Sequence, residues 1–307
     1  MPELPEVEHL RRSIDPWIVG AHITTVAIRR KSVVTLAEKH ARTKRSLEQA
    51  LGAGSTVVAT HRHGKQMAVE FASGGTIVIQ LGMTGGVTID RDRAPSGMDG
   101  RHRHVVWEIQ PTLSALAQLN NCQPPAARWL LAFRDPRRFG GITAFPSMDA
   151  LRASWSKLGP DALTISPTDL HRALSVTSRP VKAALLDQSM IAGVGNIYAD
   201  ESLFAAKIHP MTSARILTPN AATTLSDAIR RILQHAVICG GSTLRDYKDA
   251  FGRPGMAVQS HAAYGRAGMP CVRCAETLLG TRLQGRATVN CPRCQELSTR
   301  STTTTDA

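Results

Sequence analysis

Four of the six cysteines fall as CVRC and CPRC with sixteen residues between the pairs, which places Cys271, Cys274, Cys291 and Cys294 in one short stretch. Two thiolate pairs at this separation can close a tetrahedral zinc site when the residues between them form a hairpin. The intervening LLGTRLQGRATVN reads as two strands about a glycine-containing turn. A module of some thirty residues with few apolar side chains has too little core to hold itself together, so the metal must supply folding energy. Four sulfurs leave no open coordination position, so one structural Zn2+ is the only cofactor expected. The competing reading is two incidental or redox-active pairs. Cys122 and Cys239 lie outside the pattern and read as ordinary buried or surface thiols.

The remaining chain is long enough for about two domains, and 42% hydrophobic residues can build ordinary cores. No apolar run could span a bilayer, and the N-terminus lacks the basic start and apolar stretch of a secretory signal. A cytoplasmic protein without disulfides is therefore expected, with no membrane partner. Lysine and arginine exceed acids by 37 − 24 = 13. That surplus points to a polyanion, nucleic acid before membrane, against the alternative of a basic surface kept for solubility. Aromatic residues make up only 4%, so recognition must use a few placed side chains and not an extended stacking platform.

The fold class predicted is α+β. AHITTVAIRR, STVVATHRHG, KQMAVEF and GTIVIQLGM, followed later by HVVWEI and WLLAF, mix β-branched residues with period-two alternation, which predicts an N-terminal antiparallel β-sandwich or barrel over 1–146. PTLSALAQLNNCQPPAA has no strand pattern and reads as an inserted surface loop or short helix. From Ser147 the apolar spacing becomes helical in MDALRASWSKL, PTDLHRALS, PVKAALLDQSM, IYADESLFAAK and NAATTLSDAIRRILQHAVIC, giving a helical domain over 147–260. The cysteine ribbon follows at 261–295, and 296–307 form a polar tail expected to be disordered.

Three stretches carry candidate chemistry. In MPELPEVE, Glu3 and Glu6 flank the first helical turn beside Pro2, which suits a helix start and needs no further role. In AGVGN, the glycines and the following helix start can hold an anion on backbone amides and Asn196, or can simply join two helices. In FRDPRRFGG, Arg137 and Phe139 share a short loop, and Met83 stands on the glycine-flanked turn LGMTGG. An arginine and apolar wedges can fill the space left by an extruded base. The alternative puts Met83 and Phe139 in the core and the arginines on a solvated rim.

MPELPEVE, GKQMAVEF, LGMTGG, DPRRFGG, LDQSMIAGVGNIYADESLF, GGSTLRDY and the four-cysteine ribbon occur in one order over residues 1–295, and together they resemble the bacterial formamidopyrimidine-DNA glycosylases. The resemblance implies a helix-two-turn-helix arrangement in the helical domain, damaged double-stranded DNA as partner, and a monomer. It also implies that Met1 is removed and that the Pro2 nitrogen attacks C1′ of the damaged nucleotide. A free α-amine titrates near neutrality, so part of it is nucleophilic at cellular pH. The resulting Schiff base permits β- and then δ-elimination. Glu3 matches the residue exchanging protons with the sugar ring oxygen, and Glu6 a second acid that organises the site. Lys65, Asn196 and Arg286 match phosphate contacts. Met83, Arg137 and Phe139 match the void-filling residues, with the arginine facing the estranged cytosine. Residues 240–257 match a loop that closes over the extruded base, and Tyr264 matches an aromatic lining position.

Departures from the family pattern are local. In HRH, Arg103 stands where the family has an acid, leaving His102 as the phosphate neighbour and predicting a more basic local field. The insertion at 110–127 and the threonine-rich tail have no counterpart. The function implied is a base-excision DNA glycosylase and AP lyase acting on 8-oxoguanine and formamidopyrimidines, working in the bacterial cytoplasm and on the nucleoid when DNA-bound. A sister group that removes oxidised pyrimidines commonly reads PEG where this chain reads PEL, and usually lacks the arginine and phenylalanine pair. A DNA-binding protein without chemistry would be marked by loss of Pro2 or Glu3, and both are present.

Overall fold

The computed structural model describes residues 2–38, 43–91, 101–112, 129–243 and 247–297. The inserted segment from residue 113, Cys122 and the tail from residue 298 lie outside the described residues. The chain packs as two units, Met1–Ser156 with Val237–Met256 and Lys157–Ala236 with Ala257–Ala307.

The first unit opens with α1 (Leu4–Ile18), started by a capping box between Glu3 and Glu6 and a proline in its first turn. Val7, Leu10, Ile14 and Ile18 recur at helical spacing and are buried. Two sheets follow. One is antiparallel, ordered β1 (His22–Ile28), β7 (Arg103–Gln110), β8 (Trp129–Arg134), β6 (Gly86–Arg91). The other is ordered β2 (Val34–Leu36), β9 (Gly141–Phe145), β5 (Thr76–Gln80), β4 (Gln66–Phe71), β3 (Val57–His63). Both sheets and α1 contribute to one core that includes Met67, Ile79, Trp107, Trp129 and Phe133.

Two details depart from an all-strand, all-antiparallel reading. The short edge strand β2 pairs parallel to β9. Within the strand-rich stretch, α2 (Lys44–Ala50) is capped by Thr43, whose hydroxyl accepts from Ser46 N at 3.1 Å. α3 (Met148–Trp155) covers the outer face of the second sheet, where Leu151 packs on Ala68 and Val78.

The second unit holds α4 (Pro167–Ser175), α5 (Val181–Leu186), α6 (Asn196–Ala206) and most of α7 (Pro219–Ile238). α5 is shorter than its apolar pattern, because Asp187 accepts from Ser189 N at 3.0 Å and turns the chain. β10 (Leu279–Leu283) and β11 (Arg286–Asn290) form the antiparallel hairpin expected between the cysteine pairs. Among the described residues, no helix is long and apolar enough to cross a membrane.

Candidate active site and metal centre

Pro2 is buried and walls a cleft with Met83, Thr84, Thr88, Arg134, Tyr247 and Lys248. Its neighbour Glu3 is the N-cap of α1 and only 3% exposed, and Glu3 N–H donates to Glu6 Oε2 at 2.7 Å. The other Glu6 oxygen accepts from Ser242 N at 2.7 Å, and the Tyr247 hydroxyl donates to the Glu6 carbonyl at 2.9 Å. Gly241 sits at φ +80° with its missing Cβ position 2.8 Å from Glu6, so no larger residue fits there. Burial raises the Tyr247 pKa, and the negative charges of Glu6 and Asp249 add to the effect, which keeps the phenol a donor. Glu6 is therefore both a helix-capping acid and the pin joining the N-terminus to Ser242 and Tyr247.

Met83 and Phe139 are 40% and 62% exposed, so neither belongs to the core. Their two turns meet backbone to backbone. A Cβ at Gly82 would stand 2.5 Å from Gly140 N, and one at Gly140 would stand 2.4 Å from Gln80 O. Fully buried Asp135 holds this junction, accepting from Thr84 Oγ1 at 2.6 Å, Gly140 N at 2.7 Å and Arg137 N at 3.2 Å. The Arg137 guanidinium lies over the Phe139 ring at 5.2 Å. His102 is exposed at φ +69°, and its carbonyl accepts from Asp135 N at 3.2 Å, which joins it to the same loop. Lys65 occupies the β3–β4 turn directly after Gly64. The expectation that Arg103 makes the field more basic is corrected: Arg103 is buried and ion-paired to buried Asp90, which balances its charge.

In the second unit Asn196 opens α6 and donates through Nδ2 to the Ala287 carbonyl at 2.9 Å, beside exposed Arg286 at the start of β11. Fully buried Lys182 donates to the same carbonyl at 2.8 Å and to Thr288 Oγ1 at 2.9 Å, and pairs with Asp200 at 2.7 Å. Asp200 also accepts from Val289 N at 3.1 Å. Burial raises its pKa to about 6 against the opposing pull of Lys182. Glu201 accepts from the amides of Ala262, Ala263 and Tyr264 at 2.8–2.9 Å and so places Tyr264 edge-on to His261.

The four cysteine sulfurs lie within 4.8 Å of one another, with separations from 3.4 to 4.0 Å among the closer pairs. Tetrahedral zinc with bonds of about 2.3 Å needs sulfurs roughly 3.8 Å apart, so this donor set could hold a metal ion. Gln295 accepts from Cys291 N at 2.9 Å and donates to the Ile208 carbonyl at 2.8 Å, and the Arg273 guanidinium lies over Phe204 at 4.6 Å. The knuckles are thereby tied to the end of α6.

Asp135, Lys182, Asp200 and Glu201 were not singled out from the sequence. A charged residue inside an otherwise apolar helical stretch, as in VKAALL and NIYADESLF, was the available signal for the last three. An aspartate opening a proline- and glycine-bearing turn was the signal for Asp135.

Residues 1–142 match the N-terminal domain of formamidopyrimidine-DNA glycosylase, and residues 158–248 match its H2TH domain. The chain belongs to the formamidopyrimidine-DNA glycosylase family. It is 36% identical over 307 residues to the formamidopyrimidine-DNA glycosylase of Thermomicrobium roseum, covering 97% of this chain and all of that one. The crystal structure of the MutM (Fpg) protein of Thermus thermophilus superposes with a TM-score of 0.77 at 34% identity, covering 97% of this chain and 100% of that chain. The Lactococcus lactis Fpg in complex with DNA containing an abasic site gives 0.80 at 29% identity over 96% of this chain and 100% of that chain.

Proposed function

We propose that this member of the formamidopyrimidine-DNA glycosylase family is a base-excision enzyme that removes 8-oxoguanine and formamidopyrimidines from duplex DNA and then cleaves the strand. The observation that carries the reading is Pro2 walling one cleft with Met83, Arg134, Tyr247 and Lys248, while Glu6 accepts from the amides of Glu3 and Ser242. Solved relatives bound to DNA containing Fapy-dG and carbocyclic 8-oxo-G support the lesion class.

With Met1 removed, the Pro2 secondary amine attacks C1′, and the base leaves with the electron pair of the glycosidic bond. Glu3 gives a proton to the ring oxygen as the sugar opens, leaving an iminium on Pro2 that withdraws electrons for β- and then δ-elimination of the flanking phosphates. A base inside the stack cannot be reached, so it must be extruded. Met83, Arg137 and Phe139 fill the void, with the arginine donors on the acceptor edge of cytosine. Lys65, His102, Asn196 and Arg286 hold phosphates, and Tyr264 lines the site. One Zn2+ held by Cys271, Cys274, Cys291 and Cys294 would supply structural folding energy to the ribbon that carries Arg286.

Borohydride reduction during turnover of a duplex carrying 8-oxoguanine opposite cytosine should fix the DNA covalently to the N-terminal peptide. Tight binding with no crosslink on any damaged duplex would replace this reading with a binding protein that lacks the chemistry.

A further inference from the structure

Arg134 ends β8, is half-buried, and lines the cleft that Pro2 walls. The core takes Trp129, Leu131 and Phe133 from this strand, so the alternate residues, Arg134 among them, face the other side of the sheet. Across the strand pair stands Gly86, where an added Cβ would meet nothing within 4 Å, so the space beside Arg134 is open. Asp90, further along the same face of β6, is engaged by Arg103.

Other half-buried arginines are paired: Arg62 donates to Glu8 at 2.9 Å, and Arg179 to Asp187 at 2.9 Å. Among the described residues the Arg134 guanidinium meets no carboxylate and no other acceptor. The remaining polar groups of the cleft are committed elsewhere. The Tyr247 hydroxyl donates to the Glu6 carbonyl at 2.9 Å. Asp249 accepts from Phe251 N at 2.9 Å and Arg253 Nε at 2.8 Å, with His9 Nε2 3.8 Å away. Lys248 is exposed, and solvent screens its charge. A shielded cation with its N–H donors uncommitted therefore lines the cleft that holds Pro2.

We propose that Arg134 is a catalytic residue of base release: its guanidinium takes the negative charge that develops on the departing oxidised base. The proposal rests on the reading of Pro2 as nucleophile. As the bond from the Pro2 nitrogen to C1′ forms and the bond from C1′ to the base breaks, the nitrogen gains a positive charge and the base keeps the electron pair. In 8-oxoguanine that pair sits on a ring nitrogen bonded to a carbonyl carbon, so the charge is shared between nitrogen and oxygen. Such an edge is planar like a carboxylate, and a guanidinium can meet it with two parallel N–H donors. Arginine stays protonated at cellular pH, so it stabilises the anion without giving up a proton, and water protonates the released base. Unmodified guanine has no carbonyl at that carbon, so the same contact favours the oxidised base.

The test sets Arg134→Gln and Arg134→Lys beside wild type, each beginning at Pro2, on two duplexes. One carries 8-oxoguanine opposite cytosine, and the other a preformed abasic site at the same position, where no base departs. Single-turnover base release and strand cleavage are measured. Removing a donor from a developing anion costs about 10²-fold in rate, so Arg134→Gln should lose about a hundredfold more on 8-oxoguanine release than on cleavage of the abasic duplex. Arg134→Lys keeps the charge without the fork and should fall between Arg134→Gln and wild type on release. Equal losses on the two duplexes would make Arg134 a phosphate or structural contact, and no loss on release would make it idle; either result overturns the proposal. Arg134→Gln breaks no ion pair, and its cleavage of the abasic duplex reports that it is folded. If wild type cleaves neither duplex, the nucleophile reading falls and takes the proposal with it, whereas wild-type activity on both confines any failure to Arg134.

Discussion

The wedge loops of the first unit and the ribbon of the second both present exposed side chains on short turns, and they are held by opposite means. Arg137 and Phe139 ride on a loop fixed by fully buried Asp135 and by glycine backbones in direct contact, above a core of large side chains such as Trp107 and Phe133. The ribbon that carries Arg286 has a core of Phe204, Ala263, Leu278 and Val289 completed by cysteines, with the buried Lys182–Asp200 pair beneath it. A well-packed core sets loop geometry without help, whereas a small apolar cluster with a buried charge pair depends on its ligand and its polar network. The groups proposed for chemistry stand on the self-sufficient region, and a proposed phosphate contact stands on the dependent one.

The strongest way to break this contrast is Cys291→Ser. The metal should be lost by elemental analysis and amide protection should vanish across 261–295, while protection in the sheets of the first unit is retained. Full zinc content in that variant would overturn the ligand assignment. Lys182→Ala comes next: stranding Asp200 in the interior should cost about 3–5 kcal/mol in denaturant unfolding of the second unit. A loss of only about 0.5 kcal/mol, typical of an exposed pair, would mean the pair is not the brace described. Phe139→Ala gives the smallest effect on stability, within about 0.5 kcal/mol, because the ring is solvent-exposed, yet it should slow lesion excision more than it weakens binding to undamaged duplex. A stability loss of about 3–5 kcal/mol would instead place Phe139 in the core.

What was legible in the sequence was local. The helices after Ser147 declare themselves by spacing and caps, and the cysteine hairpin by its turn, because neighbours along the chain decide both. Met83 and Phe139, taken singly, read more readily as core than as wedge, since exposure is settled by what packs over a loop and not by the loop itself. Arg103 illustrates the same limit, its expected basic field being cancelled by Asp90 of β6, a strand separated from β7 by β8. The parallel pairing of β2, the Lys182–Asp200 pair and the His9–Asp249 contact all join residues distant in sequence, and no periodicity encodes such partners.

The most direct measurement is borohydride trapping with a matched pair of proteins, one beginning at Pro2 and one retaining a residue before it. The retained residue turns the amine into an amide and removes its nucleophilicity. On a duplex with 8-oxoguanine opposite cytosine, both should bind, and only the protein beginning at Pro2 should crosslink, with the adduct mapping to Pro2. A crosslink in the blocked protein, or one mapping to a lysine in either, would contradict the assignment of Pro2 as the nucleophile.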